Sequence, residues 1–262
     1  MPRVMGNNSP ESGAPRDGAA QDGSQLRESR RAGALAAALL VVLSVAFRLP
    51  ALANAAGVHS DAAIVGIQAT HMLHGEWSPL LFGSGYQTSV DSAIAALFFA
   101  PAGPGPLALM LSTLTGHVLL TLFVFATLRR HVGAARAFVL SLVLVFTPPS
   151  VHTYVLHPPR QASLTLAFAS YWAIDRAAGA RASARTALGG ALAALACFAD
   201  PYALVLVPSV AAFALLTARG ATFEPARMAR RVGRGEAARN QAALPSLVKE
   251  APHHEECRHD IA

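Results

Sequence analysis

The sequence predicts an all-α, polytopic membrane protein: a transmembrane bundle of about six spans, with interfacial helices in a long first outer loop. Three observations predict it. Only 14% of the residues are charged and 53% are hydrophobic, where an ordinary soluble domain carries about 25% charged residues. The charges gather in two tails, 1–31 and 220–262, and the interval 32–219 is nearly charge-free over long stretches. That interval divides into apolar runs of the length a bilayer demands. A hydrocarbon core roughly 30 Å thick needs about 20 mainly apolar residues at 1.5 Å each.

Residues 1–31 are rich in Asn, Ser, Pro, Gly, Arg and Asp. They hold too little apolar surface to offset the entropy of ordering, so a disordered cytoplasmic tail is expected. The first span is 32–52, with Arg48 near its far end, where a long side chain can snorkel to the interface. Arg30-Arg31 before an apolar run and Ala51-Leu52-Ala53 after it have the form of a signal peptide. The long preceding tail and the spans that follow favour an uncleaved membrane helix.

The second span is 106–128, the third 135–149 and the fourth 161–174, the third ending at Pro148-Pro149. The fifth and sixth, 187–199 and 202–218, are separated by Asp200-Pro201, which marks a helical hairpin. The final segment, 220–262, is expected to be a basic, weakly ordered cytoplasmic tail.

Net charge is +6 and the isoelectric point about 10.1. In a soluble protein that balance suggests nucleic acid. Here it reads as topology, because cytoplasmic loops collect Lys and Arg. With both termini inside, the inner segments hold Arg30, Arg31, Arg129, Arg130, Arg136, Arg176, Arg181, Arg185 and the C-terminal set. Only Arg48 and Arg160 fall outside. The expected location is therefore a cell inner membrane, multi-pass, with no nucleic-acid partner. The two cysteines, Cys197 and Cys257, have neither disulfide nor metal spacing.

The outer loop, 53–105, is far longer than the 2–8 residues of a usual helix connection. Its apolar pieces 61–74 and 90–101 are too short to span and suit interfacial helices. Acids are scarce on this side: Asp61, Glu76, Asp91 and Asp200. A carboxylate at a membrane interface is costly and tends to be paired or functional. Asp61, beside Ser60, opens the first short helix, where an N-cap is the simplest role. At 100° per residue Asp61, Gln68 and His71 share one sector of that helix. His71 and His74 lack a matching third metal ligand. Trp77 and Tyr86 suit an aromatic belt, and His117 suits a helix–helix contact.

This loop resembles the N-terminal part of the GT-C type membrane glycosyltransferases, the group of protein O-mannosyltransferases and aminoarabinose transferases. The matching residues are Ser60-Asp61, Gly66, Ala69, His71, Gly75-Glu76, Gly85-Tyr86, Ser89-Val90-Asp91 and the run at 105–109, with Phe198-Ala199-Asp200-Pro201 later. The resemblance implies transfer of a sugar from a polyprenyl-phosphate donor to a glycan, lipid or protein acceptor at the outer face. It implies Asp61 as the base that takes the acceptor proton. Asp91 would be a helper or a ligand for a divalent cation. His71, Glu76, Tyr86 and Arg160 would line the substrate site. Arg160 either meets the donor phosphate or snorkels as a flanking residue. Ala62 stands where many relatives have a second acid, and the chain has fewer spans than the family's usual number. The alternatives are a non-catalytic scaffold or shortened relative of that family, and a small-solute transporter.

Overall fold

The structure, a computed structural model, describes residues 17–55, 58–148, 155–177 and 181–218, with side chains from Arg30 onward. The expected tail 220–262 and residues 1–16 lie outside the described residues. Among the described residues every regular element is a helix. They are α1 (Asp17–Ala53), α2 (Ser60–Leu73), α3 (Val90–Ala102), α4 (Pro106–Val132), α5 (Ala134–Val145), α6 (Gln161–Asp175), α7 (Ala182–Ala199), a 3₁₀ turn (Pro201–Leu206) and α8 (Val207–Ala218). Helix α1 starts at Asp17, so residues 17–31, expected as tail, are helical.

Among the described residues four segments are long and apolar enough to cross a membrane: Arg30–Ala53, Pro106–Val132, Ala182–Ala199 and Pro201–Ala218. The other two expected spans are short helices. α5 has 12 residues and α6 has 15, which at 1.5 Å each give about 18 and 22 Å.

α4 is the centre of the bundle. Half of its apolar window is buried, against 11% for Pro201–Ala218. Leu40, Phe125, Ala137 and Val145 join α1, α4 and α5 in one core, and Ala167, Ala196 and Ala203 join α6, α7 and the 3₁₀ turn in another. Small residues let these backbones approach closely. A Cβ on Gly189 of α7 would stand 2.5 Å from Ile174 Cγ1 and 3.2 Å from the Ser170 carbonyl of α6. Large apolar side chains face outward, among them Val143, Leu97 and Val205 at 68%, 72% and 77% exposure. A water-facing surface rarely carries so much exposed apolar area.

Arg48 corrects the snorkelling expectation. It is fully buried. Its Nη1 donates to the carbonyls of Ser44 at 3.0 Å and Val145 at 3.2 Å, and its Nη2 to that of Leu144 at 3.3 Å. α5 ends at Val145, and the last carbonyls of any helix lack partners within it. In a bilayer no water supplies them. Arg48 therefore caps a helix that stops short. His117 Nε2 lies 2.8 Å from the same Leu144 carbonyl and 3.1 Å from Arg48 Nη2. One ring nitrogen either donates to the carbonyl or accepts from the guanidinium, not both.

Candidate functional site

The site gathers at the end of the bundle that carries α2, α3 and the starts of α6 and the 3₁₀ turn. Its hub is Asp200, 1% exposed. Asp200 Oδ1 accepts the Tyr202 N–H at 3.0 Å, which caps the 3₁₀ turn and makes the hairpin expected at Asp200-Pro201. Its Oδ2 accepts Gln87 Nε2 at 2.9 Å and pairs with Arg160 Nε at 3.2 Å. The Thr88 N–H and hydroxyl both donate to the Ala199 carbonyl, each at 3.3 Å. The loop before α3 is thus fastened to the turn after α7.

Arg160 follows the cis Pro158-Pro159 bond and takes φ 94°. A bulky residue in that region is strained, and such strain gathers at functional sites. Two bonds hold the backbone there. Asp91 Oδ2 accepts the Arg160 N–H at 3.0 Å, and Asp91 Oδ1 accepts the Ala162 N–H at 3.1 Å. Asp91 thereby satisfies free N–H groups at the start of α6 from another helix. Burial raises the Asp91 carboxyl above the usual carboxylate range; the two N–H bonds pull it down, and Asp200 pushes it further up.

The Arg160 guanidinium lies 4.1 Å over the Tyr202 ring and meets the Tyr86 side chain. It is an ion-paired, stacked group rather than a snorkelling one. Nε is engaged with Asp200, and the guanidinium fork has further N–H donors. A polar cavity of about 260 Å³ opens beside it, lined by Asp61, Tyr86, Gln87, Pro158 and Arg160, with His59 and His157 stacked at its edge. Asp61 also borders a neighbouring cavity of about 220 Å³ with Phe82 and Ser84.

Asp61 does not cap α2. The N-cap is His59, no side-chain cap bond forms, and the Asp61 carboxylate accepts only a long 3.4 Å bond from the adjacent Ser60 hydroxyl. The cap expectation is corrected, and the correction leaves an exposed carboxylate at the mouth of the cavity.

A second cavity of about 290 Å³ adjoins the polar one across Pro158 and is almost wholly apolar. Val90, Ile94, Phe98, Leu119, Leu166 and Leu195 line it, and Asp91 stands on its wall. Asp61 and Asp91 thus border adjacent cavities rather than one.

His71 and Glu76 form their own pair, Nδ1 to Oε2 at 2.5 Å, half exposed and outside both of these cavities. Gln68 does not share a polar face with Asp61 and His71. It is buried, donates to the Leu80 carbonyl at 2.8 Å and accepts from the Ser92 hydroxyl at 3.1 Å. The residues do not fit a divalent cation at Asp91. Both of its oxygens face N–H groups, and among the described residues no three of His, Cys, Asp or Glu gather.

The sequence reading missed Gln87 and the role of Asp200 as hub. Asp200 was legible as a scarce acid at a turn, but nothing in the sequence joins it to residues more than a hundred positions away. Compared with family models, with curated proteins and with solved structures, the chain finds a match in none of the three.

Proposed function

We propose that this chain is a membrane-embedded transferase of the GT-C glycosyltransferase type, acting on a sugar carried by a polyprenyl phosphate. One observation carries the reading: a polar cavity holding Asp61 and Arg160 adjoins an apolar cavity across Pro158. A lipid phosphate has the same two-part chemistry. Its anionic head suits the Arg160 fork, and its isoprenoid chain suits a slot lined by Ile94, Phe98 and Leu119.

In the proposed step Asp61 takes the proton of the acceptor hydroxyl. The hydroxyl oxygen bonds to the anomeric carbon as the bond from that carbon to the phosphate oxygen breaks. The electron pair leaves with the polyprenyl phosphate, whose charge Arg160 meets. Asp91 positions Arg160 through its backbone and takes no part in proton transfer.

In this reading all six apolar segments pass through the membrane layer, α5 and α6 as short members inside the bundle. Helices α2 and α3 lie at the outer interface, and both termini are cytoplasmic. The five carboxylates whose side chains are described sit at helix ends or in loops, where a transporter would hold acids within its helices near the midplane. A second reading, a scaffold without catalysis, is favoured by one observation: Asp91 and Asp200 are fully used in holding the fold.

The deciding experiment is transfer from a labelled polyprenyl-phosphate sugar in membranes. Asp61→Asn should lower transfer by roughly 10²–10⁴-fold while the protein still inserts. Equal transfer by both chains sinks the base assignment. For orientation, a cysteine at Ser84 should be labelled by an impermeant reagent on intact cells; labelling that requires permeabilisation reverses the topology.

A further inference from the structure

At the opposite end of the bundle, α4, α6 and α7 bring their arginines together beside α1. Arg129 of α4 reaches across α1: a Cβ on Gly33 would stand 2.9 Å from its Nη1. Arg176, after α6, lies 4.5 Å over the Trp172 ring. Arg185 of α7 donates to the Arg176 carbonyl at 2.5 Å. Arg130 pairs through Nε with Asp175 at 2.8 Å, and His131 takes the other oxygen at 2.8 Å.

Among the residues whose side chains are described, Asp175 is the one carboxylate at this end, and Arg130 and His131 occupy it. Arg129, Arg176 and Arg185 are instead held by rings and carbonyls, which fix a guanidinium without neutralising it. Their mutual repulsion is felt at Arg176, which burial, then Arg130, Arg129 and Arg185, lower below the ordinary value, against the pull of Asp175. Past this charge the outward face of α7 turns apolar: Leu188, one turn beyond Arg185, is 47% exposed, Leu195 42% and Phe198 57%.

We propose that Arg129, Arg176 and Arg185 form a binding site for the phosphate headgroup of an anionic phospholipid, with an acyl chain lying along α7 past Leu188. Clustered guanidiniums beside an apolar face match an acid head on an apolar tail. An exposed apolar flank does not match nucleic acid or free phosphate. The inference rests on the bilayer reading but not on the transferase.

The test uses the purified full chain in detergent micelles. Phosphatidylglycerol, phosphatidylcholine of the same acyl chains and inorganic phosphate are added separately, and bound lipid is counted by native mass spectrometry alongside thermal unfolding. Phosphatidylglycerol should bind at least tenfold more tightly than phosphatidylcholine and raise the midpoint, and inorganic phosphate should do neither. Combined Arg129→Gln, Arg176→Gln and Arg185→Gln should remove the preference. Equal binding of the two lipids, the same midpoint rise from inorganic phosphate, or a preference surviving in the triple variant overturns the site. Should the triple variant not fold, salt decides with the native chain: the preference must shrink as ionic strength rises, and a salt-independent preference overturns it. Release of the chain from membranes by alkaline carbonate would instead overturn the bilayer reading, a result separate from lipid preference in micelles.

Discussion

Arg48 and Arg160 are two guanidiniums at two helix ends, and the molecule spends them differently. Arg48 is wholly buried; its bonds to the Val145 and Leu144 carbonyls and its contact with His117 serve the join between α1, α4 and α5, and its third carbonyl bond, to Ser44, stays within α1. No large cavity named above borders it. Arg160 has a strained backbone held by Asp91, one nitrogen on Asp200, and the rest of its fork beside a cavity. A charged group whose guanidinium nitrogens Nη1 and Nη2 are spent on helix carbonyls and a neighbouring ring is part of the frame. One that is anchored at Nε and left with spare donors facing open space is arranged to meet something else.

The contrast is sharpened most by Arg160→Gln. Glutamine meets the same positive φ, so the backbone cost is unchanged, but the charge is gone. Transfer should fall about a hundredfold, and stability by about 1–3 kcal/mol, since Arg160 is half exposed but the Asp200 carboxylate it would leave is 1% exposed. A stability loss with unchanged transfer would make Arg160 a second Arg48.

Arg48→Met should do the reverse. The Val145 carbonyl loses its donor, at about 1–3 kcal/mol, while the Leu144 carbonyl keeps His117. Removing a charge from the bilayer interior returns about 3 kcal/mol at most by insertion scales. The open carbonyl together with the lost join between α1 and α5 outweighs that return, so the unfolding midpoint in micelles should drop by a few degrees. A midpoint that rises would mean the buried charge, not the open helix end, dominates.

The smallest effect concerns Asp91, which holds Arg160 in place. Its carboxyl is raised in the folded protein, so the folded chain binds the proton more readily than the unfolded chain. The stability of the native protein relative to Asp91→Asn should be greatest below the unfolded pKa and decline as pH rises through the folded one. Unfolding midpoints of the two proteins across that range measure it; a difference that grows with pH would contradict the burial argument.

The long helices were legible because run length and apolarity decide them: α1 over its apolar part, α4, and the pair flanking Asp200-Pro201. Pro148-Pro149 was legible as a stop, but not that α5 ends at Val145 and needs a donor. That need made Arg48 a cap instead of a snorkelling residue, and no local pattern around residue 48 encodes it. The site divides the same way. Asp61, Asp91 and Arg160 stood out because charges are rare in this chain. Gln87 did not, because one buried glutamine in a loop has no spacing to betray its partner. The side on which His71 and Glu76 face was hidden too, since Gln68 turned inward to hold Leu80 and Ser92.

The fastening of Gln87 and Thr88 to Asp200 and Ala199 sets an order of events during synthesis. The loop leaves the ribosome long before its partners, Ala199 and Asp200 at the turn after α7. Until that turn is made, Asp200 is not there to hold Arg160 and Gln87, two residues of the polar cavity's wall. The chamber is completed only once the Asp200-Pro201 turn is made, so a nascent chain stalled before that turn would carry the early helices without the chamber.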